Sequence, residues 1–125
     1  MANKGQHYQK VVNAFRPIEP GDLRQLAGLL EGEGWFGWFK RRNLPGLAVT
    51  MTDEDVVRCA ADLMQVGVTQ GKPRYAGCKS TFSASPTGWR ALALMVELFP
   101  YLGTRRRKKI TQVLDRWEHQ AERVV

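Results

Sequence analysis

Helical and strand periods alternate along this chain in an order that few folds accommodate. Leu23, Leu26, Ala27 and Leu30 recur at i, i+3, i+4 and i+7, one face of a helix with Asp22 as its N-cap and Gly32 and Gly34 at its end. WFGWFKR at 35–41 and LAVTM at 47–51 are short, apolar and rich in strand formers, with a turn around Asn43, Pro45 and Gly46 between them, so they pair as a hairpin. Thr52 is then an N-cap followed by Asp53, Glu54 and Asp55 in a first turn, and Val56, Cys59, Ala60 and Leu63 are the stripe that helix buries. A glycine-containing loop at 66–72 precedes a second hairpin, 73–76 and 79–85 around Gly77. Pro86 and Thr87 lead into a third helix over 87–98, with Leu92, Met95, Val96 and Phe99 apolar, and Pro100 interrupts it. A last helix over about 104–122 carries Ile110, Val113, Leu114 and Trp117 on its apolar side.

Helix, hairpin, helix, hairpin, helix, helix is an α+β order, and consecutive hairpins favour an antiparallel sheet with helices packed on one face. The 79–85 stretch alternates accordingly: Lys79, Thr81, Ser83 and Ser85 face one way, Phe82 and Ala84 the other. The sheet is thus expected to keep one face open, polar and basic. At 125 residues the chain makes one ordinary domain, expected over 20–125 behind an N-terminal arm at 1–19. No apolar run approaches the ~18 residues of a membrane span, so no membrane association is expected. The opening MANKGQHYQK has no apolar stretch after its basic residues, which argues against secretion. Cys59 and Cys78 are too few for a disulfide framework and read as reduced thiols of a cytoplasmic protein.

The net charge of +7 favours a polyanionic partner, and its distribution says more than its sum. Residues 17–34 and 53–62 each hold four acids and one base. Residues 35–52 and 66–90 contain Lys40, Arg41, Arg42, Lys72, Arg74, Lys79 and Arg90 and no acid, and Arg105-Arg106-Arg107-Lys108-Lys109 follows. A merely soluble surface interleaves the two signs. Acid-free strands on an open, concave face fit a nucleic-acid duplex.

Leu26-Ala27-Gly28-Leu29-Leu30-Glu31-Gly32-Glu33-Gly34 is the most informative run. Gly28 and Gly32 lie four apart, so a second backbone can approach closely along that stripe. Glu31 and Glu33 sit at a helix C-terminus, where negative charge is disfavoured. A divalent cation relieves that cost, and hard cations take oxygen ligands. The helix pattern by itself favours a plainer reading, a surface helix with a glycine cap and two solvated glutamates.

The run resembles the motif that names the LAGLIDADG homing endonucleases. Leu26, Ala27, Gly28, Leu29 and Gly34 match its letters, Gly32 stands where that family often has glycine, and Glu replaces Asp at both acids. Pro100-Tyr101-Leu102 followed by Arg105 resembles the P-[FY]-L-x-x-[KR] segment ahead of that family's last helix, and the element order agrees over about 20–117. Met51 departs from the pattern, at a position where relatives often carry a polar residue. The resemblance implies a single-motif, homodimeric, site-specific and Mg-dependent endonuclease for double-stranded DNA, of the kind associated with intron or intein mobility, encoded by a cell, organelle or phage. It implies Glu33 and Arg105 as catalytic residues, and Glu33, the Gly32 carbonyl and, less consistently, Glu31 as metal ligands. Leu26, Gly28, Leu29 and Gly32 are implied at the dimer interface. Lys40, Arg41, Arg42, Lys72, Arg74, Lys79, Arg106, Arg107 and Lys108 are the expected DNA contacts. The alternative is a non-cleaving member of the fold, a DNA-binding regulator or an RNA maturase.

The remaining candidates are weaker. His7 and His119 have no Cys or acid at ligand spacing. Cys59 is expected in the core. Trp35, Phe36, Trp38 and Phe39 suggest a stacking platform, but alternation turns only half of them outward.

Overall fold

The computed structural model describes residues 16–73 and 75–123. The chain forms α1 (Pro20–Glu33), β1 (Gly34–Phe39), β2 (Leu44–Met51), α2 (Glu54–Met64), β3 (Thr69–Gly71), β4 (Thr81–Ala84), α3 (Gly88–Leu98), a 3₁₀ turn (Phe99–Tyr101) and α4 (Thr104–Arg123). Every strand pairing is antiparallel, in the order β1-β2-β4-β3. The helices cover one face of this sheet, as the element order predicts.

Helix α1 starts earlier than expected, with Glu19 as N-cap and Pro20 in the first turn. Proline has no N–H to satisfy there and its φ is already helical, so it sets the start, and Asp22 lies within the first turn, where the helix dipole favours an acid. At the other end Gly34 is extended (φ −83°, ψ 161°), not left-handed. Glycine is needed there for space: a Cβ would come within 2.6 Å of the Leu30 carbonyl oxygen. The chain passes directly from α1 into β1.

The first hairpin turns at 40–43, where Asn43 takes a positive φ of 54° and its Oδ1 accepts from Trp38 Nε1 at 3.0 Å. Pro45 and Gly46 therefore lie inside β2 and not in the turn. Proline is tolerated because the pairing on that side, which runs from Met51 through the Leu47 amide on the Pro86 carbonyl, ends at the Gly46–Thr87 bridge and leaves Pro45 beyond it. The second hairpin also differs from expectation: its first strand is Thr69–Gly71, and 72–80 connects it to β4. Pro73 cannot donate to a ladder, so pairing stops before it.

Asp53, one residue after the expected Thr52, caps α2 by accepting from Val56 N at 3.3 Å. The buried stripe is Val57, Ala60, Ala61 and Met64, so Cys59 is exposed and not in the core. Apolar residues are doubled along this helix, giving two overlapping stripes of the same period, and the one with two alanines faces inward. Helix α3 buries Ala91 to Met95 and Leu98 almost all round, while Val96 is exposed. Phe36, Leu47, Val49 and Ala84 of the sheet, Leu26 and Leu30 of α1, and Ile110 and Val113 of α4 complete one core around α3. Residues 1–15 of the arm expected at 1–19, His7 among them, lie outside the described residues.

Candidate active site and nucleic-acid interface

Two helix ends of opposite polarity meet at the edge of the sheet. The last turn of α1 carries Glu31 and Glu33 and no base; the first turn of α4 is basic and has no acid. Each end bears the charge its own dipole disfavours. Bringing them together lets each relieve the other. Glu31 Oε1 accepts from the Gly103 amide just ahead of α4, a donor the helix leaves unsatisfied. Arg106 donates from Nε (3.3 Å) and Nη2 (3.0 Å) to the Glu31 main-chain carbonyl, and its Nε lies 3.4 Å from Glu31 Oε2. Its guanidinium also sits 5.9 Å from the Phe36 ring centroid. With its side chain only 16% exposed, Arg106 is held where Glu31, at 38%, remains half in water.

This pairing separates the expected site residues into two groups. Glu31 and Arg106 are engaged with one another, and Arg107 donates to the Phe99 (3.1 Å) and Pro100 (2.8 Å) carbonyls of the 3₁₀ turn. The expectation that Arg106 and Arg107 are simple phosphate contacts meets a structure that engages both within the chain. Glu33 and Arg105 are exposed, and neither has a hydrogen bond or ion pair among the described residues. Arg105, Arg106, Lys108 and Lys109 line a cleft of about 280 Å³ with Trp35, Phe36 and Gln112. Lys109 was named only within the basic run and Gln112 was not singled out from sequence; their place follows from the α4 register against β1.

The open face of the sheet is less basic than alternation alone suggests. Trp35 and Phe39 lie on it with ring centroids 5.0 Å apart, while Phe36 faces the core. Their rings cover the cross-strand pair Gly37 and Gly46, where added Cβ atoms would run into Trp35 and Phe39 respectively. Further along, Thr50 Oγ1 and Ser83 Oγ are 2.8 Å apart. The cations are in the loops. Lys40, Arg41 and Arg42 are exposed in the β1–β2 turn; Lys72 and Lys79 are exposed in the β3–β4 connection. Because β4 runs antiparallel to β2 beside its C-terminal half, these loops lie at opposite ends of the sheet. Arg74 lies outside the described residues. At the first end, Gln120 of α4 donates to Asn43 Oδ1 at 3.3 Å and Arg116 covers the Trp38 ring at 4.2 Å, so α4 braces the turn that carries three cations.

The outer side of α1 is the remaining feature. Gly28 and Gly32 are exposed, and a Cβ on either would meet nothing within 4 Å. Leu29 is half-buried and lines a groove of about 320 Å³ against Val56, Cys59 and Leu63 of α2. Leu26, expected at the interface, is 1% exposed and packs in the core of its own chain. Among the described residues, no group of three or more His, Cys, Asp or Glu side chains is placed to hold a metal, and no helix is long and apolar enough to cross a membrane. Glu33 with the neighbouring Gly32 carbonyl is a small, hard oxygen donor set. It fits Mg²⁺, which keeps several waters and takes one or two carboxylates together with substrate phosphate.

No family model matches the sequence, and comparison with curated proteins finds no match. Solved structures do match. The homing endonuclease I-CvuI, in complex with the I-CreI target in 2 mM Mg with its DNA not cleaved, aligns with TM-score 0.56 and 17% identity, covering 77% of this chain and 68% of that one. The same enzyme with its own target in 2 mM Ca aligns with TM-score 0.55, at 17% identity and the same 77% and 68% coverage. The group I intron-encoded homing endonuclease I-CeuI complexed with DNA aligns with TM-score 0.56 and 15% identity, covering 94% of this chain and 70% of that one. With its antiparallel sheet, its helices on one face and a motif helix running straight into the first strand, this chain has the LAGLIDADG homing endonuclease-like fold.

Proposed function

We propose that the chain is a site-specific, Mg-dependent endonuclease for double-stranded DNA that works as a homodimer. The observation that carries this reading is the meeting of helix ends: Glu31, two residues before Glu33, is tied to the start of α4, whose Arg105, Lys108 and Lys109 line a cleft with Trp35, two residues after Glu33. Four-residue spacing of open glycines on α1 supports close approach of a second copy, and cutting two strands requires a second acid. The basic loops at both ends of the sheet suit a duplex laid along it, with Thr50, Thr69, Thr81 and Ser83 toward the bases and Lys40, Arg41, Arg42, Lys72 and Lys79 toward phosphates.

In this reading the Glu33 carboxylate and the Gly32 carbonyl would hold the cation. When bound, such an ion supplies positive charge and Lewis acidity to phosphodiester hydrolysis. Arg105 stabilises charge that develops on the phosphoryl oxygens. Lys108 and Lys109 raise the local concentration of the polyanion. The Trp35 ring forms the sheet side of the cleft.

The test is selection of cleaved sites from a randomised duplex library with Mg²⁺, followed by variants on the selected site. Glu33→Gln should abolish cleavage while binding persists or tightens, because a negative charge near phosphate has gone. Arg105→Ala should slow cleavage far more than it weakens binding, and Arg105→Lys should retain part of the rate. Cleavage by Glu33→Gln at the wild-type rate overturns the site. Binding without nicking would return the chain to the DNA-regulator reading, and preferential binding of intron RNA to the maturase reading.

A further inference from the structure

We infer that Arg106 and Glu31 are positioning residues that set the placement of Glu33 against Arg105, and that Glu31 acts in this way and not as a metal ligand. The inference rests on the endonuclease reading for its rate effects, and on geometry alone for the contact itself. Glu33 is two residues beyond Glu31, and Arg105 is the immediate neighbour of Arg106. The link joining the two helix ends runs through the Glu31 carbonyl to Arg106, the Glu31 carboxylate to the Gly103 amide, and Glu31 Oε2 to Arg106 Nε. The planar guanidinium is suited to this: it addresses a main-chain carbonyl with two N–H groups while remaining near the carboxylate and packed over Phe36. A ligand must offer its oxygens to the ion. Both Glu31 carboxylate oxygens are instead directed at the α4 end.

The space at Gly103 shows how closely the same contact is fitted. A Cβ there would stand 2.6 Å from Glu31 Oε1. Because the obstructed atom is the far end of a flexible side chain, Gly103→Ala should displace the carboxylate at little cost to the fold, with every charge retained. Misplacement of reacting groups by about 1 Å can cost on the order of 100-fold in rate.

The experiment is single-turnover cleavage of the selected duplex at saturating DNA, with DNA affinity, melting temperature and exchange of the Gly103 amide measured on the same full-length variants. Arg106→Ala and Gly103→Ala should each slow cleavage by ~10- to 100-fold while DNA affinity changes less than about threefold, with Arg106→Lys recovering part of the rate. Glu31→Gln keeps an oxygen for the Gly103 amide. It should therefore be milder than Glu33→Gln and leave the half-saturating Mg²⁺ concentration in place, whereas Glu31→Ala should speed Gly103 amide exchange. A raised Mg²⁺ requirement in Glu31→Gln, with the severity of Glu33→Gln, restores the ligand role and overturns the proposal. Gly103 exchange indifferent to Glu31→Ala overturns it also, with no reference to catalysis. Wild-type protein that cleaves no duplex overturns the endonuclease reading, whereas wild-type cleavage with Arg106→Ala and Gly103→Ala unimpaired overturns the positioning role alone.

Discussion

Replacing Gly28 by alanine should have opposite effects on one chain and on two. Gly28 lies in the interior of α1, is exposed, and its added methyl would meet nothing within 4 Å. On a single chain, then, only backbone propensity changes. Glycine in a helix interior is less favourable than alanine by about 1 kcal/mol, partly because the unfolded chain loses freedom when glycine is removed. Gly28→Ala should raise the stability of the isolated chain by roughly that amount, a gain of about 4 °C in melting temperature for a domain of this size. Between two copies packed along Gly28 and Gly32 the same methyl stands in the contact. The dimer should weaken, and each 1.4 kcal/mol lost there is about tenfold in dissociation constant.

Sedimentation equilibrium gives the dimer constant, and denaturation over a hundredfold range of protein concentration separates the two effects. The wild-type midpoint should rise with concentration, as expected when association is coupled to folding. The Gly28→Ala midpoint should be higher at the dilute limit and nearly independent of concentration. Gly28→Leu should exaggerate the loss of dimer and remove cleavage with it. A variant that dimerises as tightly as wild type, or is less stable when dilute, refutes the reasoning, since either result puts something other than a second α1 against that glycine.

Lys79→Ala should flatten the dependence of log affinity on log salt by roughly one phosphate, about 0.9 in slope, if its ammonium releases a counterion, and an unchanged slope and affinity would remove it from the interface. Gly46→Ala places a Cβ in the Phe39 ring on the open face, so overpacking should cost about 1–3 kcal/mol in denaturant unfolding, and the neutral result would mean that the ring moves freely aside.

Element order, the antiparallel sheet, the one-sided helix layer and the outward turn of only half of the aromatic run were legible in the sequence, because each rests on periodicity within segments. The same holds for the motif run with its open glycines and for the acid-free stretches. Tertiary structure decided what local signals leave degenerate. Val56-Cys59-Ala60-Leu63 and Val57-Ala60-Ala61-Met64 have the same spacing on α2, and only packing selects the second. Strand β3 is three residues long and is defined by its partner β4, so a stretch without strand composition pairs while the more strand-like neighbour at 75–76 lies in the connection. The roles of Glu31, Arg106 and Arg107 were beyond reach for a further reason. Glu31 and its partners Gly103 and Arg106 are separated by 72 and 75 residues, and they meet because two helix poles of opposite sign are brought to one edge of the sheet. A sequence records which charges a helix end carries; which of them remain free to meet a phosphate or an ion depends on what the fold places opposite.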